Sequence, residues 1–182
     1  GTEGINYTVA DAEGLTVLGN AASNTLVGGS GRDQLFGLDG SDTLRAVGGG
    51  DTLDGGDGDD LLSVGISDAG TTFIGGRGND TITGSGYSDN YVFNAGDGED
   101  IIQDAATGWT KTDVLRFGAD VAVTDVTPLR SGQDLVFKVG TGPDKITVKN
   151  WFDYGYTQIE QVQFADGTIW TNAQINTRAL EV

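Results

Sequence analysis

The chain has 182 residues, carries 27 Asp and Glu against 10 Lys and Arg for a net charge of −17, and contains no His, Cys or Met. That excludes a disulfide framework, a zinc site built on imidazole or thiolate, and nucleophilic catalysis of the Ser–His–Asp or Cys–His kind. It also argues against nucleic acid and anionic membrane surfaces, which need Lys and Arg clusters, and no apolar run approaches the roughly 20 residues that span a bilayer.

The charge is uneven. Residues 1–104 hold 18 acids and 3 bases, a net of −15, whereas residues 105–182 hold 9 acids and 7 bases, a net of −2. Glycine divides the same way, 24 against 7, and all three Trp lie in the second part. Two regions of different physics therefore meet at residue 104. With no Met, the sequence reads as a piece of something longer, and such a piece would not show a basic-then-apolar leader.

In chain order, Ile5–Val9 and Leu15–Leu18 read as strands of an irregular opening segment, 1–18. A nine-residue period then begins. GNAASNTLV (19–27) is a weak first copy with Asn24 at the aspartate position. GGSGRDQLF (28–36), GLDGSDTLR (37–45), AVGGGDTLD (46–54) and GGDGDDLLS (55–63) follow. Residues 64–74 are irregular and two residues longer than the period. The period resumes with GGRGNDTIT (75–83) and GSGYSDNYV (84–92), and after Phe93–Asn94 closes with AGDGEDIIQ (95–103).

In each unit the first six positions predict a turn, with Gly where the backbone turns sharply or packs against its neighbour. The last three predict a short strand whose middle side chain points inward. Those inward residues are Leu26, Leu35, Leu44, Leu53, Leu62, Ile82, Tyr91 and Ile102. A flexible Gly/Asp linker has no reason to keep an apolar residue two places after each Asp. Stacked units bury a continuous apolar column that one unit alone cannot.

Two units make one coil, so Asp42, Asp60, Asp80 and Asp100 line one edge behind Asn24. Asp33, Asp51 and Asp89 line the other, with Asp68 an uncertain member. Strands about 4.8 Å apart hold the stacked carboxylates far inside one Debye length. A hard divalent cation relieves that repulsion by taking oxygens from the carboxylates and the glycine-loop carbonyls. Calcium suits such a site better than magnesium, which demands a rigid octahedron, or zinc, which wants His or Cys. The candidate metal residues are the seven aspartates named, with Gly29, Gly31, Gly40, Gly49, Gly56, Gly58, Gly76, Gly78 and Gly98. Asp39, Asp54, Asp57 and Asp59 read as solvated turn residues.

After residue 112, alternation predicts strands at Val114–Phe117, Leu135–Val139 and Ile146–Lys149. Asp166–Gly167, between Val162–Phe164 and Thr168–Trp170, signals a tight hairpin. A short helix opens at Asn172–Ile175, capped by Thr171 or Asn172. Trp151, Phe152, Phe164 and Trp170 are the expected core anchors, and Lys111, Lys138, Lys145 and Lys149 the expected exposed lysines. The whole of 105–182 reads as a β-rich cap over the last coil.

The tandem units resemble the RTX (repeats-in-toxin) proteins, whose repeat is G-G-x-G-x-D-x-U-x; 28–36, 55–63 and 75–83 match it in full. TDVLRFGADV (112–121), SGQDLVFKVG (131–140), DKITVKNWF (144–152) and QIEQVQFADGTIW (158–170) resemble the segment that often follows such repeats. The resemblance implies an all-β chain: a calcium-bound parallel β-roll, a β-solenoid, over 1–104 with a C-terminal β-rich cap over 105–182. It further implies a bacterial protein secreted by a one-step (type I) machinery, with calcium ions and the upstream part of its own polypeptide as partners. No catalytic residue, cofactor-binding residue or enzyme activity is expected of the chain. The alternative is an adhesive module with a carbohydrate ligand in the second region, which an exposed aromatic cluster at Trp109, Trp151 or Tyr154–Tyr156 would favour.

Overall fold

A computed structural model describes residues 3–8, 12–65, 69–104, 111–153 and 157–181. Eleven strands occupy the glycine-rich region: β1 (Asn6–Thr8), β2 (Thr16–Leu18), β3 (Thr25–Val27), β4 (Gln34–Asp39), β5 (Thr43–Ala46), β6 (Thr52–Asp57), β7 (Leu61–Val64), β8 (Thr72–Arg77), β9 (Thr81–Thr83), β10 (Asn90–Phe93) and β11 (Glu99–Gln103). Odd strands stack in one sheet and even strands in the other, every neighbour parallel, so the chain alternates sheets at each turn. This is a parallel β-roll.

The period sets the register. Leu26, Leu44, Leu62, Ile82 and Ile102 stack through one sheet, and Val17, Leu35, Leu53, Phe73 and Tyr91 through the other. From Leu26 and Leu35 onward these side chains are at most 2% exposed. Each such burial contributes about 1.5–3 kcal/mol, which no single nonapeptide could collect alone. Phe73 is the column member of the irregular unit, stacked on Tyr91 with ring centroids 5.4 Å apart. The two extra residues there are taken up before Thr71, and the column continues unbroken.

Strand length departs from the three residues expected. β4, β6 and β8 run for six residues each, because the first three positions of the following unit also pair, Leu38 on Gly56 and Gly56 on Gly76. With glycine at 37, 55, 56, 75 and 76, the backbones approach closely enough to prolong the ladder.

The second region supplies β12 (Val114–Phe117), β13 (Val126–Ser131), β14 (Asp134–Val139), β15 (Lys145–Val148), β16 (Gln161–Gln163), β17 (Ile169–Thr171), α1 (Asn172–Arg178) and β18 (Leu180–Glu181). Composition changes at residue 104, but both sheets run across that point. β12 joins β10, and β15 joins β11, each in parallel register. β16 adds to β12 in parallel before the pairing turns antiparallel through β17, and on the other sheet through β14 and β13.

Thr171 caps α1: its hydroxyl accepts from the Gln174 N–H, while the Gln174 side chain accepts the Thr171 N–H at 2.9 Å. The Asp166–Gly167 hairpin forms as a three-residue loop, with Gly167 at φ 89° and the Thr168 N–H donating to Asp166 Oδ1. An aromatic cluster closes the end of the column, Phe93 on Phe117, Phe117 on Phe137 and Phe164, and Phe164 on Trp170. Trp151 is fully buried and donates its indole N–H to Asn176 at 2.6 Å. Phe152, expected in the core, lies only partly buried under the Arg130 guanidinium.

Candidate metal centre

The turns between strands form two edges. On the first, Asn24, Asp42, Asp60, Asp80 and Asp100 stand one coil apart, the first four just before a strand of the odd sheet and Asp100 within the start of β11. On the second, Asp33, Asp51, Thr71, Asp89, Asp113 and Glu160 stand before the even strands and their continuation. All seven aspartates named from the sequence are at most 3% exposed. Asp68 lies outside the described residues, and Thr71 holds the place between Asp51 and Asp89.

The carboxylate oxygens divide their work. One accepts the backbone N–H of the equivalent residue in the preceding coil: Asn24 to Asp42 at 2.6 Å, Asp42 to Asp60 at 2.7 Å, Asp60 to Asp80 at 2.8 Å and Asp80 to Asp100 at 3.0 Å. The second edge repeats this, with Asp33 donating to Asp51, Thr71 to Asp89, Asp89 to Asp113 and Asp113 to Glu160. The Oδ2 atoms of Asp42, Asp60 and Asp80 are buried with no hydrogen-bond partner. A buried, orphaned carboxylate oxygen costs several kcal/mol as an anion, and a hard cation is what its chemistry fits.

The metal-free carboxyls register that cost. Burial first, then the neighbouring aspartates of the stack, push Asp60 and Asp80 up to about 7 and Asp100 up to about 8. Asp42 and Asp89 are raised as well, again chiefly by burial. At neutral pH the first edge therefore holds carboxyls that ionise readily only if positive charge arrives.

Glycine makes the close stacking possible in two ways. At the fourth position Gly40, Gly49, Gly58, Gly78 and Gly98 take φ between 104° and 140°, and a Cβ on Gly58 would lie 2.2 Å from the Gly40 carbonyl oxygen. Gly56 and Gly76, at the second position, also have positive φ. Gly31 approaches the Glu13 carbonyl, and the Gly29 N–H donates to Asp33 Oδ2 at 2.7 Å. At the first position, which the sequence reading left out, a Cβ on Gly37, Gly55 or Gly75 would stand 2.2 Å from Oδ2 of Asp42, Asp60 or Asp80. These glycines leave room for the orphaned oxygens.

Of the acids set aside as solvated, Asp39, Asp57 and Asp59 lie at the surface, Asp57 beside Arg77 and Asp59 accepting the Asn79 N–H. Asp54 sits in β6 on the outer face, half-buried, its carboxyl raised by that burial.

Three ladder members went unread: Thr71, Asp113 and Glu160. The signal for the last two was present, since Asp113–Val114–Leu115 and Glu160–Gln161–Val162 each place an apolar residue two positions after an acid. Lys111 corrects the expectation of an exposed side chain. It is 4% exposed and pairs with Asp104 and, at 2.8 Å, with Asp113. Asp89, Asp104 and Asp113 each offer an oxygen, all within 4.8 Å of one another, and the Tyr91 hydroxyl donates to Asp104 at 2.9 Å. Burial raises the Asp104 carboxyl. Burial would lower the Lys111 ammonium, but the two carboxylates outweigh it and hold its pKa up.

The aromatic residues weighed for a carbohydrate face divide similarly. Trp151 is buried, while Trp109 and 154–156 lie outside the described residues. No helix among the described residues is long and apolar enough to cross a membrane.

Comparison with known proteins gives a consistent result. The model of the RTX calcium-binding nonapeptide repeat matches residues 18–49, 36–68 and 66–102, and that of the haemolysin-type calcium binding protein related domain matches 134–174. No curated protein matches the chain. Among solved structures, extracellular lipase LipA from Serratia marcescens has a TM-score of 0.40 at 17% identity over 85% of this chain. The chain spans 40% of that lipase's length. Repeats of this kind bind calcium and typify secreted bacterial proteins, and the chain belongs to the RTX family, as a parallel β-roll of haemolysin-type calcium-binding repeats followed by their related domain.

Proposed function

We propose that this chain is a calcium-triggered folding module, open where calcium is scarce and closed outside the cell, which supports type I secretion and stabilises the polypeptide upstream of it. The observation that carries this reading is the row of buried, unpartnered Oδ2 atoms on Asp42, Asp60 and Asp80. Asp42, Asp60, Asp80 and Asp100, with carbonyls of the glycine turns, are the residues that would hold the ions. Bound calcium supplies the positive charge those oxygens lack, and by linkage its binding free energy adds to folding. Extracellular calcium modules bind with dissociation constants of about 10⁻⁴–10⁻³ M, a range that separates cytosol from medium.

The chain has no catalytic role of its own in this reading. The buried lysine that might suggest a nucleophile is held as an ammonium by two carboxylates. The other buried carboxyls recur at the repeat period and belong to the ladders, apart from Asp97, which accepts the Asn94 N–H and side-chain amide.

Far-UV circular dichroism during calcium titration of chelator-treated protein, with magnesium as control, tests the proposal. A cooperative gain of β-structure with calcium alone is the expected result. Full β-structure in chelator would sink the switch.

A further inference from the structure

One end of each acidic ladder differs from its middle. In the first coil, Asn24 Nδ2 faces four oxygens: it donates to the carbonyls of Asn20 at 2.9 Å and of Ala22, lies 3.0 Å from Asp42 Oδ1, and 3.4 Å from the Gly37 carbonyl. Four oxygens converging on one centre, carbonyls and a carboxylate together, are the donor set of a hard cation. One coil further on, Asp42 Oδ2 occupies the equivalent position. Asn24 Nδ2 lies 2.8 Å from where a Gly19 Cβ would stand, and Asp42 Oδ2 lies 2.2 Å from a Gly37 Cβ. There oxygen faces oxygen, and Oδ2 has no partner.

Near the far end of the second edge, one coil before Glu160, the same substitution of nitrogen for metal recurs by different chemistry. Asp104 takes the first position of that turn, where Gly84 stands one coil earlier, and Asp113 takes the sixth. The Lys111 ammonium lies against both carboxylates, with Asp89 completing a triad. A compact charge with three donors satisfies oxygens in the way a small cation does.

We propose that the chain closes one end of each acidic ladder with a nitrogen donor of its own, the Asn24 amide at the first coil of the first edge and the Lys111 ammonium at the Asp113 turn of the second, in the places calcium takes in the coils between. Calcium is thereby kept out of those two turns, and the seam with the second region is closed before any ion binds. This rests on the calcium reading above.

Calcium stoichiometry of the full chain, by equilibrium dialysis with elemental analysis, tests it. Asn24→Asp and Lys111→Met should each bind one ion more than wild type. In chelator, wild type should keep the near-ultraviolet signal of the Trp151 and Trp170 cluster. Lys111→Met should lose that signal and regain it with calcium. Unchanged stoichiometry in both variants, with wild type still binding calcium, overturns this inference alone; wild type that binds no calcium overturns the functional reading as well. If Lys111→Met stays unfolded at saturating calcium, the Lys111 half falls. Asn24→Asp then decides the first coil, one added ion supporting the exchange and an unchanged count ending it.

Discussion

Asp42, Asp60 and Asp80 on the first edge and Asp33 and Asp89 on the second hold the same repeat position and are treated differently. On the first edge, Oδ2 of Asp42, Asp60 and Asp80 has nothing to accept from. On the second, Oδ2 of Asp33 accepts the Gly29 N–H and Oδ2 of Asp89 accepts the Ser85 N–H, at 2.7 and 2.6 Å. The difference lies at the second position of the unit. Leu38, Gly56 and Gly76 take positive φ and pair with one another along the ladder, whereas Gly29 and Ser85 do not adopt that conformation and their N–H groups turn to the carboxylate. In these five aspartates the outcome follows the backbone of the neighbour four residues earlier.

The largest effect expected is at Asp60. Replacing Asp60 by Ala removes an orphaned oxygen and the acceptor for the Asp42 N–H, and should raise the calcium needed for half-folding more than tenfold in a circular dichroism titration. Asp33→Ala should lower stability at every calcium concentration while shifting that midpoint far less. Asp57→Ala, at the surface, should stay within about 0.5 kcal/mol of wild type. Equal midpoint shifts for Asp60 and Asp33 would erase the contrast between the edges.

Next in size is Gly56→Ala. It places a Cβ 1.9 Å from the Leu38 carbonyl oxygen at φ 106°, and strain of this kind costs about 1–3 kcal/mol before the clash is counted. Urea unfolding in saturating calcium should show the loss. Gly29→Ala, without positive φ, should lose less than half as much.

The metal-free protein should also depend on pH in an unusual direction. Asp60, Asp80 and Asp100 have folded values of about 7, 7 and 8, above the ordinary 3.8. Folding therefore favours their protonated forms. The contribution is complete below the unfolded value and is lost as pH rises through 7–8. In chelator, the roll should be more stable at pH 5 than at pH 8.5, and calcium should abolish that trend. A metal-free stability that rises with pH across this window would contradict the burial of these carboxyls.

The smallest effect sharpens the same feature. Leu38 holds φ 81° where the equivalent residues are Gly56 and Gly76. Leu38→Gly should relieve about 1 kcal/mol of strain and raise the Tm by a few degrees in calcium.

Much of this was legible before any fold was seen. The apolar residue two places after each Asp gave the column, the register and both edges, because spacing alone sets which residues stack. Thr71 escaped because a hydroxyl there breaks the aspartate template, although Phe73 two places later keeps it. β13 escaped because Pro128 argues against a strand; it pairs with Phe137 all the same, in a hairpin turning at Gly132. The split between a hydrogen-bonding oxygen and an orphaned one could not be read, since it depends on φ at Leu38, Gly56 and Gly76, and Leu38 betrays no such preference. Nor does sequence spacing reveal that Lys111 folds inward between Asp104 and Asp113.

The coils have one weakness that their seam with the second region removes. Leu26, Leu44 and Leu62 stack in one sheet and Leu35 on Leu53 in the other, with aspartate on aspartate beside them, so a slip by one whole coil would keep many contacts and leave nearly equivalent alignments competing. The seam breaks that pattern: Tyr91 meets Leu115, and Glu99 lies opposite Lys145 with an ion pair at 2.7 Å. These unlike pairs act as the zero mark on a ruler whose other divisions are identical, and every coil counted back from them has one address.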